Sequence, residues 1–321
     1  MKKIVLLEPS ISSLNLGDYI IVESVKRELS YLTNGAFVVE QPTQIPLMHF
    51  YQNKDKRLLL AKDSDFKFVC GSNLIWQNML NPSPQWNFNA FNCFNIEGSV
   101  LVGAGSSTTR EHINLYTQLL YKKVLSNKYV HSVRDEATRK RLESIGIKAI
   151  NTGCATMWSL TEAHCKSIPD TKSNRVIFTL TDYMRNKKLD KYMVNILMKN
   201  YSDVFFWPQG YSDYQYAVDL GIINRVKIIN PNLEAMHKIL LSGDIDYVGT
   251  RLHGGIYAIQ HKVRSIILSI DNRAREMKEN YNIPTLEREM IEQLDSVINS
   301  TWETRLDIDE ESIELWKEQF R

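Results

Sequence analysis

The feature that most constrains this chain is an alternation of short apolar runs with longer amphipathic stretches, carried through once and then begun again. Ile4 to Leu7, Phe66 to Val69, Ser99 to Val102 and Tyr129 to Val133 read as buried strands. Amphipathic stretches follow, through Val22, Val25 and Leu29, through Ile113 to Leu125, and through Ala137 to Ile145 before Gly146. Strands followed by helices in this order require a parallel sheet covered on both faces. The pattern breaks between Asn151 and Asn174, where Pro169 to Ser173 reads as a linker. It restarts with strands at Val176 to Leu180, Val204 to Trp207, Val226 to Ile229, Tyr247-Val248 and Ser265 to Ile270. The expectation is an α/β protein of two Rossmann-like, doubly wound halves facing a cleft, residues 1–165 and 174–321. The last helix, with Ile313, Trp316 and Phe320 on one face, can return to the first half.

With 321 residues, two domains of ordinary size suit the length better than one core. Hydrophobic residues at 43% and charged residues at 24% exclude a disordered or fibrous chain. Lys plus Arg number 39 against 37 acidic residues, a net charge of +2 that argues against nucleic-acid binding and strong electrostatic adhesion to a membrane. Cys70, Cys93, Cys154 and Cys165 have neither CxxC nor zinc spacing and read as reduced thiols. The opening MKKIVLLEPS has too short an apolar stretch for a signal peptide, and no run is long enough to span a membrane. The expected location is the cytoplasm, with no metal.

In doubly wound sheets, ligands gather where strand ends meet helix starts, and five runs fall there. Asn15-Leu16-Gly17-Asp18 follows the first strand, and the alternative is an ordinary helix start capped by Asn15 or Asp18. Gly71, Gly103 and Gly105 close the next two strands without a GxGxxG or P-loop pattern. Ser132-Val133-Arg134-Asp135 places an arginine at a strand end, either facing a ligand or paired with Asp135. Asp246 to Gly255 carries Arg251 and His253 on alternate positions, followed by Gly254 and Gly255. Arginine offers a planar fork to carboxylate or phosphate, and histidine moves protons near neutral pH. The two glycines would leave the helix start open to an anion. Asp271-Asn272-Arg273-Ala274-Arg275 adds further arginines at the last apolar strand. No HExxH or GxSxG is present.

Taken together, NxGD at Asn15 to Asp18, SxRD at Ser132 to Asp135 and RxHG at Arg251 to Gly254 resemble the polysaccharide pyruvyl transferase family, in matching order along nearly the whole chain. The chain departs from the family's common pattern at Cys70-Gly71-Ser72, at Cys154 and at Arg273. The resemblance implies a fold similar to the GT-B glycosyltransferases, and transfer of pyruvate from phosphoenolpyruvate to sugar hydroxyls as a ketal, without a cofactor. It implies His253, Arg251 and Asp18 as catalytic residues, with Asp18 as base. Asn15, Gly17, Gly71, Gly103, Arg134, Gly254, Asn272 and Arg273 become substrate-binding candidates. On this resemblance Arg251, with Arg134 or Arg273, holds the donor, and His253 is either the acid/base or a phosphate ligand. The partners are phosphoenolpyruvate and a sugar or lipid-linked oligosaccharide acceptor, with at most peripheral membrane contact through that acceptor. A GT-B glycosyltransferase using a nucleotide sugar, and a non-catalytic partner in glycan assembly, are the competing readings.

Overall fold

The computed structural model describes residues 1–46, 55–81, 84–106 and 112–321, with Leu58 and Asn272 by backbone alone. The chain divides into two units, each with its own parallel sheet.

The first unit comprises Met1–Ser13, Ile21–Trp158 and Asp309–Arg321. Its strands are β1 (Lys3–Glu8), β2 (Phe37–Pro42), β3 (Phe66–Cys70), β4 (Val100–Val102), β5 (His131–Val133) and β6 (Ala149–Asn151). Four pair in the order β2-β1-β3-β4, all parallel, and β5 pairs with β6. Side chains join the two groups. Leu101 N–H donates to His131 Nδ1 at 3.2 Å and Gly103 N–H to Ser132 Oγ at 2.8 Å. Because Nδ1 accepts, the imidazole proton lies on Nε2, which donates to Ser126 O at 2.9 Å. Burial holds His131 neutral and pushes its pKa down to about 4. The terminal helix Glu310–Glu318 belongs to this unit. Trp316 Nε1 donates to Val130 O at 2.8 Å, and the Trp316 and Phe320 rings meet Phe68 edge-on.

The second unit comprises Leu14–Ile20 and Ser159–Ile308. Its strands are β7 (Arg175–Thr179), β8 (Asp203–Phe206), β9 (Lys227–Ile228), β10 (Ile245–Gly249), β11 (Ser265–Ser269) and β12 (Thr285–Glu287). They pair in parallel in the order β12-β11-β10-β7-β8-β9. The chain winds outward from β7 through β8 to β9, then returns to β10 and winds the other way. The order therefore reverses between β7 and β10, and their carboxyl ends flank the crevice where such sheets take ligands. β7, β10 and β11 are buried almost throughout, as a sheet covered on both faces requires.

Residues 169–173, which read as a linker, are tied into the second unit. Trp302 N–H donates to Asp170 O at 3.0 Å, Lys172 Nζ donates to Asn200 O at 3.0 Å, and Ser173 N–H meets the Asp246 carboxylate. Residues 159–165 also fall in this unit, because His164 Nε2 on the helix Glu162–Lys166 is bonded to Ile259 O at 2.8 Å. All four cysteines are buried free thiols. Among the described residues no helix is long and apolar enough to cross a membrane.

Candidate functional site

The site is built at the reversal point of the second sheet, from the residues that follow β7, β8, β10 and β11. β10 ends at Gly249, and Arg251 occupies the N-cap position of the helix Leu252–Gln260 without capping it by its side chain. Arg251 is almost fully buried, and its fork is occupied by protein. Nε donates to Asp213 Oδ2 at 3.0 Å and to Leu180 O at 3.2 Å. Nη2 donates to Asp182 Oδ1 at 2.9 Å and to Asp213 Oδ1. Its Nη1 makes no hydrogen bond among the described residues.

Asp213 is the counter-charge and is wholly buried. It opens the helix Asp213–Asp219 and reaches back to the loop after β8, accepting from Gly210 N–H at 2.7 Å, Gln209 N–H at 3.2 Å and Asp182 N–H at 3.2 Å. Burial pushes its carboxyl up from the ordinary range, against the pull of Arg251. Burial also opposes the guanidinium's charge, but Asp213 more than offsets that and Arg251 stays protonated. The backbone of Arg251 is fixed as well. Its N–H donates to Thr179 Oγ1 at 3.2 Å and its carbonyl accepts from Tyr247 OH at 2.8 Å.

The NxGD segment belongs to the same site. Leu16 N–H donates to Gln209 O and Tyr211 N–H to Leu14 O, both at 2.9 Å, so that Asn15 and Gly210 form an antiparallel bridge. Asn15 Oδ1 accepts from Gln209 Nε2 at 3.0 Å and from Gly17 N–H at 3.1 Å. A Cβ on Gly17 would stand 2.9 Å from Gln209 Nε2, and one on Gly210 would collide with Arg251 Nη2. The loop Gln209–Asp213 thus holds the Asn15 segment on one side and Arg251 on the other. Asp18 lies in the first helical turn, half-buried.

His253 is half-buried in the first turn of the helix Leu252–Gln260. The glycines after it are also required by packing. A Cβ on Gly254 would stand 2.7 Å from Gln209 Oε1 and 2.8 Å from Tyr247 OH, and one on Gly255 would collide with Ile267. After β11, Asp271 caps the helix Asn272–Tyr281 and pairs with Arg273 at 2.7 Å. Burial works against the Asp271 charge, but Arg273 and the helix-start N–H groups outweigh it and hold the carboxyl below its usual range. Asn272 opens this helix, and its side chain lies outside the described residues. Arg273 Nη2 donates to Tyr183 OH at 2.6 Å, and the Tyr183 ring lies 5.3 Å from the Arg251 guanidinium and 5.9 Å from that of Arg273.

Gly71, Gly103 and Arg134 belong to the first unit. Gly71 has φ +66° and a Cβ there would meet Ile21 at 2.5 Å, while Gly103, at φ +61°, lies against Ala155 N. Both are required by the backbone itself. Arg134 donates to Asn73 Oδ1 at 2.5 Å and stands 3.5 Å from Asp135, which also caps the helix Glu136–Ser144. Sequence reasoning missed Asp182, Tyr183, Gln209 and Asp213. Each follows the end of β7 or β8, so the strand-end rule applied to those two strands would have found them.

Two doubly wound parallel units, with a buried arginine at the reversal point of the second, define an α/β protein of GT-B-like fold. The structure of UDP-GlcNAc 2-epimerase from Methanocaldococcus jannaschii shares that fold, with a TM-score of 0.54 and 13% identity over 99% of each chain. Weaker similarity extends to UDP-GlcNAc 2-epimerase from Neisseria meningitidis bound to UDP-GlcNAc (TM-score 0.48, 13% identity, 99% of each chain). It also extends to the E. coli heptosyltransferase WaaC with ADP-2-deoxy-2-fluoro heptose (TM-score 0.39, 10% identity, 84% of this chain and 88% of that one). No curated protein matches the sequence. The model of the polysaccharide pyruvyl transferase family matches residues 15–272, from the Asn15 motif to the start of the helix after β11. The chain belongs to that family, whose members are polysaccharide-modifying transferases.

Proposed function

We propose that this chain transfers the pyruvyl group of phosphoenolpyruvate to two hydroxyls of one sugar, closing a ketal in cell-surface polysaccharide biosynthesis. Protonation of the donor's methylene carbon makes C2 electrophilic. The two hydroxyl oxygens then bond to C2, and the C2–O bond to phosphate breaks. Of the two hydroxyl protons, one balances the proton placed on the methylene and the other leaves with phosphate. The site must bind a carboxylate and a phosphate, deliver one proton and accept others.

The observation that carries this reading is the meeting of two family motifs on one loop. Asn15 and Arg251, far apart in sequence, both grip Gln209–Asp213. The start of the helix Leu252–Gln260 favours an anion, and His253 in its first turn is assigned the donor's phosphate end and the proton transfer. Arg251 spends four bonds on protein and acts chiefly as the frame, with Nη1 left for the donor's carboxylate. Arg273, which is half exposed, is the second donor cation. Asp18 is assigned the acceptor's hydroxyl proton.

Thermal shift with phosphoenolpyruvate, UDP-sugars and ADP-sugars tests the donor, because a ligand of the folded state alone stabilises it by about 2.7 kcal/mol at a hundredfold excess over Kd. Phosphate release from phosphoenolpyruvate on an acceptor panel tests the reaction. Stabilisation by nucleotide sugars and not by phosphoenolpyruvate would replace this reading with glycosyl transfer. Stabilisation by neither would favour a non-catalytic partner.

A further inference from the structure

The first unit carries a helix whose outward face is apolar where a surface helix should be polar. Leu115–Val124 buries Thr117, Leu120, Tyr121 and Val124. Its opposite face presents Leu115, 70% exposed, and Leu119, 60% exposed, followed by Lys122 and Lys123. These four stand at i, i+4, i+7 and i+8, one continuous stripe. The apolar surface continues onto two loops fastened to the same helix. Asn114 Nδ2 donates to Asn78 Oδ1 at 2.7 Å, two residues before Leu80, which is 66% exposed. Ala90 N–H donates to Tyr116 OH at 3.3 Å, next to Phe91, which is 65% exposed. Four large apolar side chains, each more than half in water, are far from the scattered single exposures of an ordinary surface.

The surface around them is poor in charge. From Phe68 to Ile96, the stretch that supplies both loops, the sequence holds no Asp, Glu, Lys, Arg or His. Among the described residues the near carboxylate is Glu97, 3.1 Å from Lys123. Aliphatic and aromatic side chains next to lysines, on a surface otherwise made of neutral amides, match the interface of a bilayer containing anionic lipid. The leucines and the phenylalanine enter the boundary between headgroups and acyl chains, and the lysines meet phosphates. We propose that this face seats the protein directly on such a membrane. The proposal does not depend on which donor the second unit takes.

Flotation of the full chain with vesicles of phosphatidylcholine, with and without phosphatidylglycerol, tests it. The protein should float with phosphatidylglycerol vesicles at low salt and lose most of that binding as salt rises. Leu115→Ser with Leu119→Ser should lower partitioning about tenfold or more, from the methylenes withdrawn. Lys122→Ser should lower it about fivefold. Circular dichroism would show the variants folded. Absence of flotation with anionic vesicles overturns the proposal, as does a doubly substituted chain that floats like the parent. A concentration-dependent dimer abolished by the leucine substitutions, without flotation, would assign the face to self-association instead.

Discussion

Replacing Asp213 with alanine tests whether the Gln209–Asp213 loop holds the site together. The carboxylate accepts from Gln209, Gly210 and Asp182 N–H groups and from Arg251 Nε and Nη2, and it is wholly buried. Alanine leaves three backbone donors unmatched and a guanidinium facing Asp182 and Leu180 O alone. Five separate bonds at about 1 kcal/mol or more each would suggest a larger loss than any relaxed structure shows. Breaking a buried pair by removing one partner costs about 3–5 kcal/mol, and that is the expected loss here. The measurement is urea unfolding followed by tryptophan fluorescence. A chain of two units can unfold in two steps, so the comparison belongs to whichever transition moves. Arg251→Met in the Asp213→Ala background removes the stranded charge. The double variant should therefore be more stable than the sum of the two single losses predicts, by about 1 kcal/mol or more. Turnover of phosphoenolpyruvate should fall about a hundredfold in the single variant even at saturating donor, because the loop that places both motifs has shifted. A loss within about 0.5 kcal/mol, or strictly additive variants, would show that Asp213 and Arg251 are not the clamp described above.

His253→Ala should lower turnover on the order of 10²–10⁴-fold with donor KM little changed if the imidazole moves the proton; a raised KM with turnover kept would make it a phosphate ligand instead, read from steady-state kinetics in phosphoenolpyruvate. Gly255→Ala drives a methyl into Ile267 and should cost about 1–3 kcal/mol in urea unfolding, while an exposed substitution such as Leu241→Ala should cost little. Acid should weaken the first unit through His131, whose folded pKa of about 4 lies below the ordinary 6.5. The unfolded chain takes up a proton as pH falls through 6.5 and the folded chain does not until about 4, so stability present at neutral pH is lost across that window, by about 3 kcal/mol in all. His131→Gln should flatten the fall when urea midpoints are compared between neutral and acid pH, and an unchanged slope would remove His131 as its cause.

The parts of the fold legible in the sequence are those where burial alone selects the residues. β1, β10 and β11 are buried on both faces, and a continuous apolar run is the direct consequence. β2 is an edge strand, half exposed, and its apolar run of Phe37-Val38-Val39 is cut short by Glu40, Gln41 and Pro42. β6 and β12 span three residues each, too short for any period to show. Pro169 to Ser173 carries the composition of a linker but is tied down by the Asp170 carbonyl and the Ser173 N–H as well as by Lys172 Nζ, which composition does not report. In the site, the spacing of Arg251 and His253 was visible because both follow one strand. Asp213 was not, because an aspartate opening a helix has an ordinary explanation, and strand order decides whether it has another.

That strand order also explains why the arginine can be buried at all. A lone guanidinium taken out of water is costly, and it persists only where matching acceptors are already fixed in place. At the reversal point of the second sheet, β7 and β10 lie side by side although most of a domain separates them in sequence. Their ends supply Leu180 O and Thr179 Oγ1 from one strand and Arg251 itself from the other. β8, the neighbour of β7, supplies Asp213 through the loop that also receives Asn15. No single stretch of chain holds enough acceptors for the charge; Leu180 and Asp182 after β7 and Asp213 after β8 supply them together. A substitution in any of them therefore reaches Arg251, and the motifs at Asn15 and Arg251 act as one unit through the loop they share.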